Sequence, residues 1–210
     1  RKVIKKEFIV LKRNRYIVIV LLCILLPFLE SYEGGTLWGL NYESPKTMDT
    51  LGDIVRLVKL LSVVAGLYLL VKSRSIIAEA FHSKVLRVTF FSIFYLLSLV
   101  QIPMLLLGSL FFGIMTPKDY IHYEHTIDQE SFYVYTADPG AFAKAYHHVY
   151  LKCPLPFNRY ELIKIGRVGW LGDFDIKRGD NNLILSSKGT VNGSPDLYRL
   201  SMDNVSCGES

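Results

Sequence analysis

The side chains with the most chemical capacity cluster within residues 122–148: His122, Glu124, His125, Asp128, His147 and His148. Imidazole and carboxylate ligate transition metals, so His122, His125 and His147 could form a site. Neighbouring residues on a strand point to opposite faces, so His147 and His148 would not both join it. The competing reading, exposed or hydrogen-bonded histidines, is the one we expect. Asp173, Asp175 and Asp180 supply oxygen ligands, but their spacing departs from the helix–loop calcium motif, and turns use the same residues. The chain has no G-x-S-x-G elbow, H-E-x-x-H site, Walker loop or dinucleotide fingerprint. The expectation is a non-enzymatic protein with no catalytic residue, metal or cofactor.

A second group is notable for its apolar surroundings. Glu30, Lys59 and Gln101 lie 15 residues after Arg15, 13 before Lys72 and 14 after Arg87. On helices rising about 1.5 Å per residue, all three fall roughly 20 Å from the nearest cationic end. Polar groups at such depth are costly and face one another, a partner or water. Either Glu30 and Lys59 pair with Gln101 nearby, or each snorkels separately to a polar boundary. Arg56 shares a helix with Lys59, and Pro103 after Gln101 invites a kink.

The elements that must hold these groups are three apolar runs, Tyr16 to about Leu29, Ile54 to Val71 and Val88 to Met115. The third is 28 uncharged residues, well past the roughly 18 that suggest a membrane span. Lys and Arg crowd before the first run (Arg1, Lys2, Lys5, Lys6, Lys12, Arg13, Arg15) and between the second and third (Lys72, Arg74, Lys84, Arg87). The connection after the first run carries Glu30, Glu33, Glu43, Asp49 and Asp53 against Lys46. Basic loops stay cytoplasmic, so the expected layout is a cytoplasmic segment 1–15, spans at about 16–35, 54–71 and 88–115, an exterior loop 30–53, a cytoplasmic loop 72–87 and an exterior domain 116–210. The first run lacks a small-x-small cleavage site, so a cleaved signal peptide is not expected. A net charge of +5 gathered at the cytoplasmic side suits anionic headgroups better than nucleic acid. The small-residue pairs Ser62-x-x-x-Gly66 and Ser109-x-x-x-Gly113 have the spacing of close helix packing.

The exterior segment reads as a mostly antiparallel β domain, a sandwich or partial barrel, making the whole an α+β membrane protein. Strands are expected at Ser131 to Ala137, His148 to Lys152, Tyr160 to Ile165, Phe174 to Lys177, Asn182 to Ser186 and Leu197 to Met202. Asp138-Pro139-Gly140 is a turn, Ala141 to Tyr146 a short Ala-rich piece, and Cys153-Pro154-Leu155-Pro156 is expected to end its strand. Cys153 and Cys207 could bridge in an oxidising compartment, whereas Cys23 falls inside the first run as a packing residue. Asn192-Gly193-Ser194 and Asn204-Val205-Ser206 are formal glycosylation sequons. Aromatics of the 30–53 loop, Trp38 among them, belong either to the lipid–water boundary or to the exterior domain's surface.

Architecture then points to a protein that works at the outer face of a bacterial inner membrane or another cell membrane. It is expected to bind a protein partner through the β domain and the helices, with Trp38, Tyr146, His147 and Trp170 as candidate contacts. An immunity-type protein and an accessory subunit of a membrane complex both suit this form. A homo-oligomeric channel or transporter subunit is the rival, and a membrane enzyme the third reading.

Overall fold

In the computed structural model the described residues are 2–32, 36–113, 118–139, 143–189, 196–203 and 205–208; the side chains of 2–13, 111–113 and 119 are outside the description. The turn at Gly140, the piece beginning Ala141, the sequon at Asn192 and residue Asn204 of the other therefore lie wholly or partly outside the described residues. The chain divides into two units, Arg1–Leu40 with Asp49–Met115, and Asn41–Met48 with Thr116–Ser210.

The helical unit is built on α1 (Lys2–Tyr32), α2 (Pro45–Lys72) from Asp49 onward, the short α3 (Arg74–Ala78) and α4 (Lys84–Gly113). Within them Asn14–Tyr32, Pro45–Lys72 and Lys84–Leu110 are long and apolar enough to cross a membrane. The helix α1 runs unbroken from Lys2, so the basic segment and the first apolar run share one helix. The helix expected from Ile54 starts at Pro45, so the 30–53 loop is shorter than its charges implied. The cause is a local start signal. Ser44 Oγ accepts the Thr47 N–H at 3.1 Å, and proline follows it at the first helical position.

Two adjacent carbonyls of α1 explain how the long helices meet. Pro27 has no N–H, so the Cys23 carbonyl lacks its helical donor. Ser62 of α2 supplies one, its hydroxyl donating to Cys23 O at 3.2 Å. One turn on, a Cβ on Gly66 would lie 2.8 Å from Ile24 Cγ1 and 2.9 Å from Cys23 Cβ, so only glycine permits this approach. On the other side, Gln101 Nε2 of α4 donates to Ile24 O at 3.2 Å. Val20, Ile24, Leu70, Ile77, Phe91 and Phe94 form the core around these contacts. The unit is too thin to cover its apolar surface. Leu61 of α2 and Leu99 and Met104 of α4 are 61%, 70% and 68% exposed.

The second unit has a four-stranded sheet, β1 (His122–Ile127), β2 (Glu130–Ala137), β3 (Tyr146–Leu155) and β4 (Arg159–Gly169), after the one-turn α5 (Lys118–Ile121). A three-stranded sheet follows, β5 (Phe174–Arg178), β6 (Asn182–Ser187) and β7 (Leu197–Ser201), and all pairings in both are antiparallel. Period-2 alternation sends Phe132, Val134, Val149 and Leu151 inward to meet Phe174, Ile176, Leu183 and Leu185 in one shared core. The two sheets thus form a sandwich. β1 was not expected, because His122-Tyr-Glu-His-Thr-Ile has little apolar alternation. β3 also passes through Pro154 to Leu155. Its pairing with β2 ends at Ser131–Lys152, so Pro154 has a strand neighbour only in β4, a position where proline is tolerated.

Cys153 and Cys207 form a disulfide with a Cα–Cα distance of 5.4 Å, joining β3 to the tail across 54 residues. By loop-closure entropy a bridge of that span stabilises by up to about 4 kcal/mol. Cys207→Ser should therefore lower the thermal midpoint of the full chain in detergent. Reductant should lower the wild-type midpoint equally and leave the variant unmoved.

Candidate functional site

The last turn of α1 carries the polar centre of the helical unit. Glu30 is 6% exposed and ion-paired with Lys59 of α2. Lys59 Nζ also donates to Ser31 Oγ at 3.1 Å, and Glu30 Oε1 accepts the Leu37 N–H at 3.0 Å. The carboxylate therefore binds both the neighbouring helix and the turn that follows its own. In that turn Leu37, Trp38 and Gly39 all have positive φ, 50°, 58° and 75°. Left-handed backbone costs roughly 1 kcal/mol or more at a non-glycine residue, and the Glu30–Leu37 bond helps hold it. The outcome is an indole 59% exposed, overhanging a groove of about 260 Å³ walled by Leu26, Leu37, Ile54 and Val58.

Gln101 has a different place from the one its depth suggested. Its amide is spent on Ile24 O, so it belongs to the α1–α4 seam and not to the Glu30–Lys59 pair. Ser62 and Gly66 meet α1, as described above. Ser109 Oγ donates to Leu105 O of its own helix at 2.8 Å, and the surroundings of Gly113 lie outside the described residues. The close approach on α4 is made at Gly108 instead, where a Cβ would meet Arg56 Cδ at 3.3 Å.

In the sheet unit, the face of β1–β4 turned away from the core is basic and aromatic. Tyr146, His148, Tyr150 and Lys152 alternate along β3, opposite Arg167 and Lys164 of β4 and Tyr135 and Tyr133 of β2. The Arg167 guanidinium lies 4.5 Å from the Tyr146 ring centroid, and Lys152 Nζ is 2.8 Å from Glu124 Oε2. Lys164 and Arg167 are exposed and add positive charge beyond that bridged pair. Partial burial, then the fields of Lys164 and Arg167, hold the His148 imidazole below its ordinary pKa. Burial raises the Tyr133 phenol, and burial with the Glu124 charge pushes Tyr160 up to about 12. At the β3–β4 turn Phe157 is 90% exposed with φ 64°. Sequence reasoning missed it, although an aromatic between Pro156 and Asn158 is an unusual turn residue.

Among the candidate contacts, His147 is corrected. It is 1% exposed, on the inner face of β3, and has no surface to offer a partner. Its Nε2 accepts the Leu171 N–H at 3.0 Å, so Nδ1 carries the proton and faces Thr136 Oγ1 at 3.0 Å. Trp170 is 55% exposed with its indole N–H on Tyr120 OH, and Tyr146 is half-buried under Arg167. His122 Nδ1 meets Tyr133 OH at 2.8 Å. Among the described residues no three His, Cys, Asp or Glu side chains converge as metal ligands.

No known protein-family model matches this chain, and neither a curated protein nor a solved structure matches it. The class is set by its own residues. Among the described residues there are three apolar helices of membrane-crossing length and a small disulfide-bonded antiparallel β domain.

Breaking a buried ion pair by reversing one partner costs about 3–5 kcal/mol. Glu30→Lys and Lys59→Glu should each cut the folded yield in detergent sharply, and the double reversal should recover most of it. For His147, burial and then the nearby His148 charge lower its pKa. The unfolded chain then takes up a proton at about pH 6.5 that the folded domain refuses. This contribution is full above pH 6.5 and declines as pH falls from there towards the lowered folded value. Tyr120, Tyr123, Asp173 and Lys188 line the cavity beside His147 and share its surroundings. The fall in thermal midpoint between pH 7.5 and 5 should be smaller in His147→Gln.

Proposed function

We propose that this chain is a non-enzymatic integral membrane protein that crosses the bilayer three times and binds a protein partner on its outer side. The Lys and Arg distribution supports a cytoplasmic amino-terminal end and an exterior sheet domain. The Cys153–Cys207 disulfide supports that placement, since such bonds persist in oxidising compartments. The exposed apolar flanks of the helices would face lipid or the partner's own helices.

The observation that carries partner binding is the outer face of the four-stranded sheet. Tyrosine and arginine are enriched at protein interfaces because they give large contact area with directional hydrogen bonds. Here Tyr135, Tyr146 and Tyr150 stand among Arg167 and Lys164, so the complementary partner presents carboxylates. Trp38 and its groove would take an apolar segment of the same partner close to the membrane. A toxin neutralised by an immunity-type protein and a larger complex held by an accessory subunit both fit these terms.

Gentle-detergent purification of the tagged chain from its native host, with mass analysis, tests the reading. A stoichiometric acidic partner should appear. Its recovery should drop about tenfold or more with Lys164→Glu and Arg167→Glu combined, since each charge-assisted contact is worth over 1 kcal/mol. The disulfide should still form in that variant. A discrete homo-oligomer that passes ions, with no partner chain, would replace this reading by the channel one.

A further inference from the structure

The end of the helical unit away from Glu30 carries a cleft of about 680 Å³. Lys72 ends α2, Arg74 opens α3, and Arg87 stands in the first turn of α4; all three line the cleft and all are exposed. The Arg74 guanidinium is steered to its wall by the Phe91 ring, 5.7 Å from the centroid. Lys72 Nζ is held by Tyr68 OH at 2.9 Å. The hydroxyls of Ser75 and Ser92 lie in the same lining, and among the described residues no carboxylate does. Three cations with hydroxyl-bearing residues beside them are the chemistry of a phosphate site.

The other half of the cleft is mainly apolar. Val88, Phe91 and Tyr95 recur at helical spacing and form one stripe down α4 from Arg87. Eight residues from Arg87 to Tyr95 rise about 12 Å. The lining therefore runs from cations at the helix end to valine and aromatic side chains along the helix flank, where Val71 and Val88 are 57% and 54% exposed. A soluble phosphate would use only the upper end.

We infer that this cleft binds one anionic phospholipid, its phosphate among Lys72, Arg74 and Arg87 and an acyl chain along Val71, Val88 and Tyr95. The inference rests on the membrane-crossing reading above and adds a specific lipid to it. On that reading the cleft opens to the cytoplasmic leaflet, where anionic headgroups are abundant.

Native mass spectrometry of the full chain, offered equal phosphatidylglycerol and phosphatidylcholine in mixed micelles, provides the test. Wild type should retain phosphatidylglycerol about tenfold or more over phosphatidylcholine, because both bring the phosphate but only phosphatidylcholine brings a choline cation up against Lys72, Arg74 and Arg87. Arg74→Ala with Arg87→Ala should bring the ratio near one, while Lys84→Ala, outside the cleft, should leave it unchanged. Equal retention of the two lipids by wild type overturns the site without need of any variant. Displacement of the lipid by an equal concentration of glycerol-1-phosphate also overturns it, in favour of a soluble phosphate ligand. Alkaline carbonate extraction separates the two levels. A chain that stays in the membrane but shows no lipid preference refutes this site alone, whereas a chain released from the membrane refutes the crossing as well.

Discussion

A carboxylate buried among apolar helices must find its hydrogen bonds and its counter-charge at once, and Glu30 does so in a way that organises the whole helical unit. Lys59 brings α2 against the end of α1, and the Leu37 N–H brings back the turn that follows. Desolvation of two charges is costly, and their attraction offsets it only when the remaining lone pairs and protons are satisfied. Ser31 gives the lysine a second partner. The left-handed turn displaying Trp38 depends on the same arrangement, because positive φ at two non-glycine residues needs support from its surroundings.

The rest of the helix packing follows from similarly local needs. Pro27 frees the Cys23 carbonyl, Ser62 satisfies it, and Gly66 allows the backbones close enough for that bond to form. In the sheet unit, His147 plays the corresponding part. A buried imidazole is tolerated because both nitrogens are engaged, and it fixes Leu171 at the point where the chain passes from one sheet to the other. A sandwich of this size has a limited core, which gives the Cys153–Cys207 bridge its weight. The surfaces we propose to be functional are the outer sheet face, the Trp38 groove and the cationic cleft.

Much of the outline was legible in the sequence. The apolar runs marked the long helices, and alternation marked most strands, because burial on one face imposes a period that survives in the residue order. Boundaries were less legible. Asp49 and Asp53 masked the start of α2, although Ser44-Pro45 is a clear helix-start signal, and β1 was hidden by its mixed side chains. His147 misled as a surface candidate because residue type cannot reveal which face of β3 a histidine occupies.

The sequence by itself determined the two-part composition: three apolar segments with Lys and Arg before the first and between the second and third, then an alternating β segment holding two cysteines. These are one-dimensional properties, set by how many apolar residues occur in a row and at what period. The tertiary structure alone decided which polar groups met. Glu30 found Lys59 while Gln101 went to Ile24 O, and His147 turned inward while His148 turned out. Likewise Lys72, Arg74 and Arg87 came to line one cleft. Such pairings depend on helix rotation and strand register, and those are fixed only when distant segments pack against one another.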